Sequence, residues 1–403
     1  MSADHASLAK QFSRRIVAEA LLHHAPISRA DLARTTGLSK QTTSLVIAEL
    51  EAGGWVKPVG VVKGGVGRNA VNYEVAGDAA YSLGVDLGGT KVTAAIANLA
   101  GEIVSEATEP TDPGGGRAVL QQIRGLADRI CADTGVKTER IRTVVVGMPG
   151  VVDPASGAVA LVPNIKGLSD LSVPQVLAEH FGREVGVEND VNLAVLGEAW
   201  QGCARECENA AFLALGTGVG LGLIVNGKLV RGAAGAAGEI AYLPIGGDLT
   251  SPDALSVGAF ELEVGAAGIL RRHRAIGGAS APTVRDLFAR LEAGEDAAHQ
   301  TLEATAATIA LAVAAVQSIV DAELVILGGS IGIRPELVER VQQRMGAVFA
   351  RKATIRASAL GARAALVGAV SLAVHKLHNE LFGISGLPQE LTLPASSLAR
   401  AAE

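Results

Sequence analysis

Aromatic residues make up only 3% of this 403-residue chain. That is too few for a row of stacking rings, which argues against a protein that grips single-stranded nucleic acid by its bases. The three cysteines, Cys131, Cys203 and Cys207, make no disulfide framework, and their odd number fits a reducing compartment. The strongest apolar run, Ile309 to Val316, stops at Gln317 and Ser318, well short of the roughly 20 residues a membrane-spanning helix needs. The opening residues, MSADHASLAKQFSRR, carry no apolar segment followed by a small-residue cleavage site, so neither a secretory leader nor a membrane partner is expected. A cytoplasmic location is.

What is present is apolar material of small size. Apolar residues form 49% of the chain and the mean hydropathy is +0.33, which supplies a large core and excludes global disorder. The length implies two or three domains. The 49 glycines follow no collagen-like period and point to tight turns and close backbone approaches.

Charge is divided unevenly. Residues 1–75 hold nine Lys and Arg against six Asp and Glu, a net +3, which leaves −9 for the rest of a chain whose total is −6. A mildly basic head on an acidic body is a weak hint of nucleic acid binding, and ordinary surface variation explains it equally well.

The pattern of the head says more. Apolar residues Ile16, Val17, Ala20 and Leu21 recur at helical spacing from Arg14 to His24, and Pro26 ends the run. Ser28, with Asp31 three residues on, caps a short helix reaching Gly37. Ser39 caps a longer one, Lys40 to Ala52, with Val46, Leu50 and Leu45 as its apolar face. Two extended stretches, Trp55 to Val62 and Val71 to Val75, then flank Lys63-Gly-Gly-Val-Gly-Arg68-Asn69, a hairpin with a basic tip. This is the plan of a winged helix-turn-helix over residues 1–76. Ser39, Lys40, Gln41, Thr42 and Ser44 would face the major groove of double-stranded DNA, with Lys63 and Arg68 at phosphates or the minor groove. A small protein-docking module with the same helices is the alternative.

After a linker near residues 76–80, Tyr81 to Ile96 reads as strand, turn, strand around Asp86-Leu-Gly88-Gly89-Thr90-Lys91. The turn's N–H groups and the Thr90 hydroxyl can cradle phosphate oxygens, and Asp86 is placed to hold magnesium through water. Ala211 to Val225 repeats the device around Gly216-Thr217-Gly218. Two such hairpins suggest two similar lobes with a nucleotide between them. Between the hairpins, Glu188-Asn189-Asp190-Val191-Asn192 sets a carboxylate beside two amides, able to align a sugar hydroxyl and take its proton. Such Asn-Asp pairs also serve as plain helix caps.

With these residues the chain resembles the ROK family of repressors and sugar kinases. The resemblance runs through the winged head, Asp86 to Lys91, Gly147-Met-Pro-Gly150, Pro163-Asn164-Ile-Lys-Gly167, Glu188 to Asn192, Leu215 to Gly220, Gly238-Glu239-Ile240 and Leu327-Gly-Gly-Ser330. It implies an α/β fold with an actin-like, ribonuclease-H-type duplicated body. The lobes would be 81–195, completed by a C-terminal helix near 364–380, and 196–363, with a loose tail over 386–403. It further implies ATP in the body, a sugar gripped by Asn164, Asn189, Asp190 and Glu239, Asp190 as general base, and Gly328 and Gly329 near the adenosine.

One departure stands out. The family places a His two residues after Gly-Glu-Ile and then a cysteine cluster, which together bind zinc. This chain reads Gly238-Glu239-Ile240-Ala241-Tyr242 and has no Cys or His from Leu243 to Phe260. Zinc is therefore expected to be absent. Tyr242 either donates a hydrogen bond to the sugar or packs beneath the altered loop.

Two functions remain open. A sugar-responsive regulator of carbohydrate metabolism, a repressor working as a homodimer or homotetramer, accounts for the fused head. A sugar kinase with ATP and Mg accounts for the retained Asp86, Thr90, Lys91, Asp190 and the second Gly-Thr-Gly loop. A purely structural module explains neither. Ala306 to Val320 and Ala364 to Leu377 read as core helices, Arg271 to Arg274 as a solvated basic turn, and Cys203 and Cys207 as inert thiols on one helix face.

Overall fold

The computed structural model describes residues 2–63, 69–153, 159–160 and 165–383. They form two compact units, one of Met1–Met148, Pro163–Glu188 and Ala369–Glu403, the other of Pro149–Val162 and Asn189–Gly368.

The first unit opens with the head: α1 (Ser2–His24), β1 (Ile27–Ser28), α2 (Arg29–Thr36), α3 (Lys40–Ala52), β2 (Val56–Lys63) and β3 (Asn69–Val75). Both expected caps form. Ser28 Oγ accepts the Asp31 N–H at 3.2 Å, and Ser39 Oγ accepts the Thr42 N–H at 3.0 Å. Gly37 ends α2 at φ 71°, a left-handed value natural to glycine. The strands pair in the order β1-β3-β2, giving the winged hairpin; residues 64–68 of its tip lie outside the described residues. The expected apolar face of α3 needs one correction. Leu45 is 66% exposed, while Ile47 is fully buried beside Val46 and Leu50. At about 100° per residue, positions 46, 47 and 50 cluster on one side of the helix and 45 points away.

The head's core does not close on itself. Val17, Leu21, Leu32, Ile47, Leu50 and Tyr73 share one apolar cluster with Leu99, Leu377 and Phe382, which lie far along the chain.

The body of the first unit contains β4 (Tyr81–Leu87), β5 (Lys91–Asn98), β6 (Ile103–Pro110), α4 (Gly116–Thr134), β7 (Ile141–Met148), α5 (Val173–Phe181) and β10 (Val185–Asn189). Its sheet runs β10-β7-β4-β5-β6, with β4 antiparallel to β5 and parallel to β7.

The second unit holds β8 (Val151–Val152), β9 (Val159–Ala160), α6 (Asp190–Gln201), β11 (Ala210–Leu215), β12 (Val219–Val225) and β13 (Lys228–Leu229). Helices α7 (Pro252–Val257), α8 (Ala259–Val264), α9 (Ala266–Ala275), α10 (Val284–Glu292) and α11 (Asp296–Val320) follow. The unit then continues through β14 (Leu324–Gly328), α12 (Gly329–Gly332), α13 (Pro335–Val348) and β15 (Ile355–Ala357). Its sheet runs β13-β12-β11-β14-β15. Here β11 is antiparallel to β12 and parallel to β14, the same order and sense as in the first unit. The body is thus a duplicated ribonuclease-H-type α/β fold. Alternation along β11 sets two layers: Ala211, Leu213 and Leu215 join the cluster under α11 and α13, while Ala210 and Phe212 join the one under α6.

The last helix, α14 (Ala364–Phe382), gives residues 364–368 to the second unit and the remainder to the first.

Three expectations change. The apolar stretch ending at Val320 extends back to Asp296, and α11 is long and apolar enough to cross a membrane by length and composition. It also buries Leu302, Ile309, Val313 and Val316, together with polar Thr301, Thr305 and Gln317, against the rest of the second unit. Arg271 to Arg274 is no turn but the end of α9. There His273 is buried on Thr301, and Arg272 bonds Glu263 and Thr305. Cys203 and Cys207 lie after α6 rather than on a helix.

Candidate functional site

Asp190 opens α6, and Asn189 caps it. The Asn189 side-chain oxygen accepts the Val191 and Asn192 N–H groups at 2.9 and 3.0 Å, and its amide donates to the Gly150 carbonyl at 3.0 Å. The cap thus fixes Asn189 and presents Asp190 at a helix N-terminus. Asp190 keeps some solvent-facing surface, but burial of its carboxyl by the surrounding protein pushes the pKa up against hydrogen bonds from the Val191 N–H and its own backbone N–H. A carboxylate with a raised pKa is a better proton acceptor in its ionised state.

Two further carboxylates of the same unit lie near it. Glu239 begins a single 3-10 turn over Ile240–Tyr242. Its pKa is raised by burial and then by the negative charges of Glu261 and Asp190. Glu261, in the first turn of α8, is raised by burial and partly offset by the Val219 N–H it accepts at 2.8 Å. The sequence reading missed Glu261; its only signal is a carboxylate opening a helix soon after the altered loop. Three carboxylates of this kind form an acceptor set suited to the hydroxyls of a polyol.

The residues between Tyr242 and Gly258 do not fit a zinc ion. Tyr242 is 45% exposed and its hydroxyl donates to the Ser256 carbonyl at 3.2 Å. Asp248 is taken by the Thr250 N–H and hydroxyl at 2.9 and 2.8 Å, which hold its pKa down. Ser251 caps α7 through the Ala254 N–H. Hydrogen bonds close this loop, and no imidazole or thiolate is at hand for a structural zinc.

Both glycine turns form as expected. In the first unit, the Gly88 N–H closes on the Lys91 carbonyl at 2.9 Å, leaving Gly89, Thr90 and Lys91 exposed. Asp86 sits beside this turn, at the end of β4 opposite Thr93. In the second unit, the Gly216 N–H closes on the Gly218 carbonyl at 3.0 Å, and Thr217 and Gly218 are exposed. This turn is braced by α9 through the Ala266 N–H on the Gly216 carbonyl, and a Cβ at Gly216 would lie 3.6 Å from the Ser330 hydroxyl. The Leu327-Gly-Gly-Ser330 turn is therefore its neighbour. Gly328 leaves room for the Phe212 ring, and Gly329 has φ 75°, so internal packing already requires both glycines.

In the head, Ser39 and Thr42 share a hydroxyl bond of 2.8 Å at the start of α3, with Lys40 and Gln41 exposed and Ser44 half-buried. Asn164, Arg68 and the side chain of Lys63 lie outside the described residues.

A model of the MarR family matches residues 13–64, the span of the head. Over 240 residues the chain is 30% identical to the xylose repressor of Caldicellulosiruptor bescii, an alignment covering 59% of this chain and 60% of that protein. The chain spans about 60% of the length of the xylose-repressor relatives it matches. Among solved structures, the ROK hexokinase from Thermus thermophilus superposes with a TM-score of 0.63 at 28% identity, covering 74% of this chain and 99% of that one. A ROK family transcriptional regulator, a homolog of the E. coli MLC protein, superposes with a TM-score of 0.77 over 94% of this chain and 100% of that one. At 19% identity it shows the shared fold, head included. A model of the ROK family matches residues 82–376, most of the chain, and to that family the chain belongs.

Proposed function

We propose that this chain is a sugar-responsive DNA-binding repressor of carbohydrate metabolism. The observation that carries the reading is the single apolar cluster joining the winged head to α14, a helix of the sugar-kinase-like body. A head built into the body's own core can be moved by events in that body, whereas one on a loose tether cannot. The likeness to a xylose repressor supports the same reading.

The effector is a sugar or sugar phosphate. Asp190, Glu239 and Glu261 accept its hydroxyls, Asn189 holds the cap that presents Asp190, and Tyr242 borders it. Its signal passes along α6, whose first residue is Asp190, to α14, which ends in the core of the head. Sugar controls DNA binding only if it binds the DNA-competent and the incompetent arrangements with different affinity. The DNA partner is a double-stranded operator met by Lys40, Gln41 and Ser44, with Ser39 and Thr42 shaping the helix start. The protein acts in the cytoplasm as a homodimer or homotetramer, so its operator holds two half-sites spaced by helical turns.

A second reading is favoured by one specific observation: the Asn189 cap presents the Asp190 carboxylate at the start of α6, in surroundings that push its pKa up, where a general base of a sugar kinase would stand. In that reading the turn of Gly88, Gly89, Thr90 and Lys91 in the first unit would take phosphate oxygens of ATP, with Asp86 beside it for magnesium, and the second unit offers a turn of the same kind at Gly216, Thr217 and Gly218 beside Gly328 and Gly329. The ion would neutralise charge on the transferring phosphoryl group. The readings separate in one experiment, in which DNA binding and ATP consumption are measured across a panel of pentoses, hexoses and amino sugars. Sugar-dependent DNA release without turnover supports the repressor; sugar-dependent turnover without DNA binding supports the kinase.

A further inference from the structure

Resting on the DNA-binding reading above, we propose that Leu45 is a specificity-determining residue that packs on the C5 methyl group of a thymine in the major groove.

The placement of Leu45 carries the argument. It is 66% exposed, more than any other large apolar side chain described in the first unit. It stands on the outward side of α3, opposite the buried face made by Thr43, Val46, Ile47 and Leu50. At about 100° per residue, Gln41 one turn before it and Ala48 one turn after it share that outward face, and both are exposed. Ala48 is short, so Leu45 is the tallest apolar group there.

Its neighbours leave it the central reading position. The Ser39 and Thr42 hydroxyls bond each other and the helix start, and the buried Thr43 hydroxyl donates to the Ser39 carbonyl at 3.1 Å. The two acids of α3 are each paired: Glu49 with Lys10 at 2.8 Å and Glu51 with Arg29 at 3.4 Å. The helix therefore presents no uncompensated carboxylate to a polyanion.

The chemistry then selects the base. A leucine side chain can neither donate nor accept a hydrogen bond, and the thymine methyl is the one apolar group that base edges offer in the major groove. Contact with it removes apolar surface of both partners from water. Gln41, on the same face, suits an adenine next to that thymine.

The test uses the full chain and a duplex selected by it from a randomised double-stranded pool. Each thymine of that duplex is replaced in turn by deoxyuridine, which deletes only the methyl group, and binding is read by fluorescence anisotropy. The wild-type protein is expected to lose about fourfold in affinity at one thymine per half-site, the worth of one buried methyl-sized group. Leu45→Ala is expected to bind the thymine and uracil duplexes equally at that position, whereas Gln41→Ala keeps the difference. Wild-type binding indifferent to every uracil, or a Leu45→Ala protein that keeps the wild-type difference, overturns the proposal. A pool that yields no bound duplex overturns the DNA-binding reading itself, which sets the two failures apart.

Discussion

Gly197 of α6 and Gly368 of α14 meet backbone to backbone. A Cβ on Gly197 would lie 3.0 Å from the Gly368 N and would overlap the Ala364 carbonyl, and one on Gly368 would fall on the Leu193 carbonyl. The helix that presents Asp190 therefore crosses the helix that ends in the head's core with no side chain between them. Close-packed helices of this kind shift together rather than deform independently.

Gly368→Ala is accordingly expected to destabilise the protein by about 1–3 kcal/mol, the usual cost of overpacking, and to raise the sugar concentration needed for DNA release. Urea unfolding and a DNA-release titration check the two effects. An unchanged release midpoint would remove this crossing from the signal path.

Asp190→Asn is expected to melt higher than the wild type at pH 7. The folded pKa of Asp190 is raised by burial, so the native state binds its proton more tightly than the unfolded chain does. Stability linked to this group therefore falls as pH rises through and above the ordinary carboxylate range. The gap between the two proteins should shrink as the pH falls toward 4. Thermal melts over pH 4–8 read it, and equal melts at pH 7 would contradict the assignment.

Glu198→Ala tests a buried anchor of the second unit. Glu198 is fully buried and accepts the Leu360 and Cys203 N–H groups at 3.0 and 2.9 Å, the Ser358 hydroxyl and the Cys203 thiol. Burial and then that carboxylate push the thiol up to about 12, so Cys203 is expected to be inert in the wild type. Truncation strands several donors and should cost about 3–5 kcal/mol, read by urea denaturation. Cys203 should then become reactive toward a maleimide that the wild type resists.

The junction of head and α14 should be acid-sensitive. His375 is lowered to about 4, first by burial and then by His378 and Arg15, and His378 is lowered by burial despite its bond to the Leu99 carbonyl. The unfolded chain binds these protons near pH 6.5 and the native one does not, so stability falls as pH drops from 6.5 toward 4. His375→Gln should flatten that slope in a pH series of melts. Phe382→Ala, in the same cluster, should cost about 3–5 kcal/mol at any pH.

Much of this was legible before the structure. Caps at Ser28 and Ser39, both glycine hairpins and the long helices follow from local pattern, because capping and periodicity act over a few residues. Leu45 was misplaced because a run of Leu45, Val46 and Ile47 fits two helix faces, and only packing chooses between them. Glu261 was invisible because its partners lie 22 and 71 positions earlier at Glu239 and Asp190. The head's dependence on Leu377 and Phe382 was hidden for the same reason: tertiary packing joins segments no local pattern connects.

The central claim is tested most directly by titrating the full chain onto a fluorescent duplex drawn from a randomised pool, with and without pentoses, hexoses and amino sugars, in the presence and absence of ATP-magnesium. The account predicts that one class of sugar shifts DNA affinity by at least about fivefold, a typical allosteric coupling, and does so without ATP. DNA binding indifferent to every sugar, beside sugar-dependent ATP consumption, would contradict it.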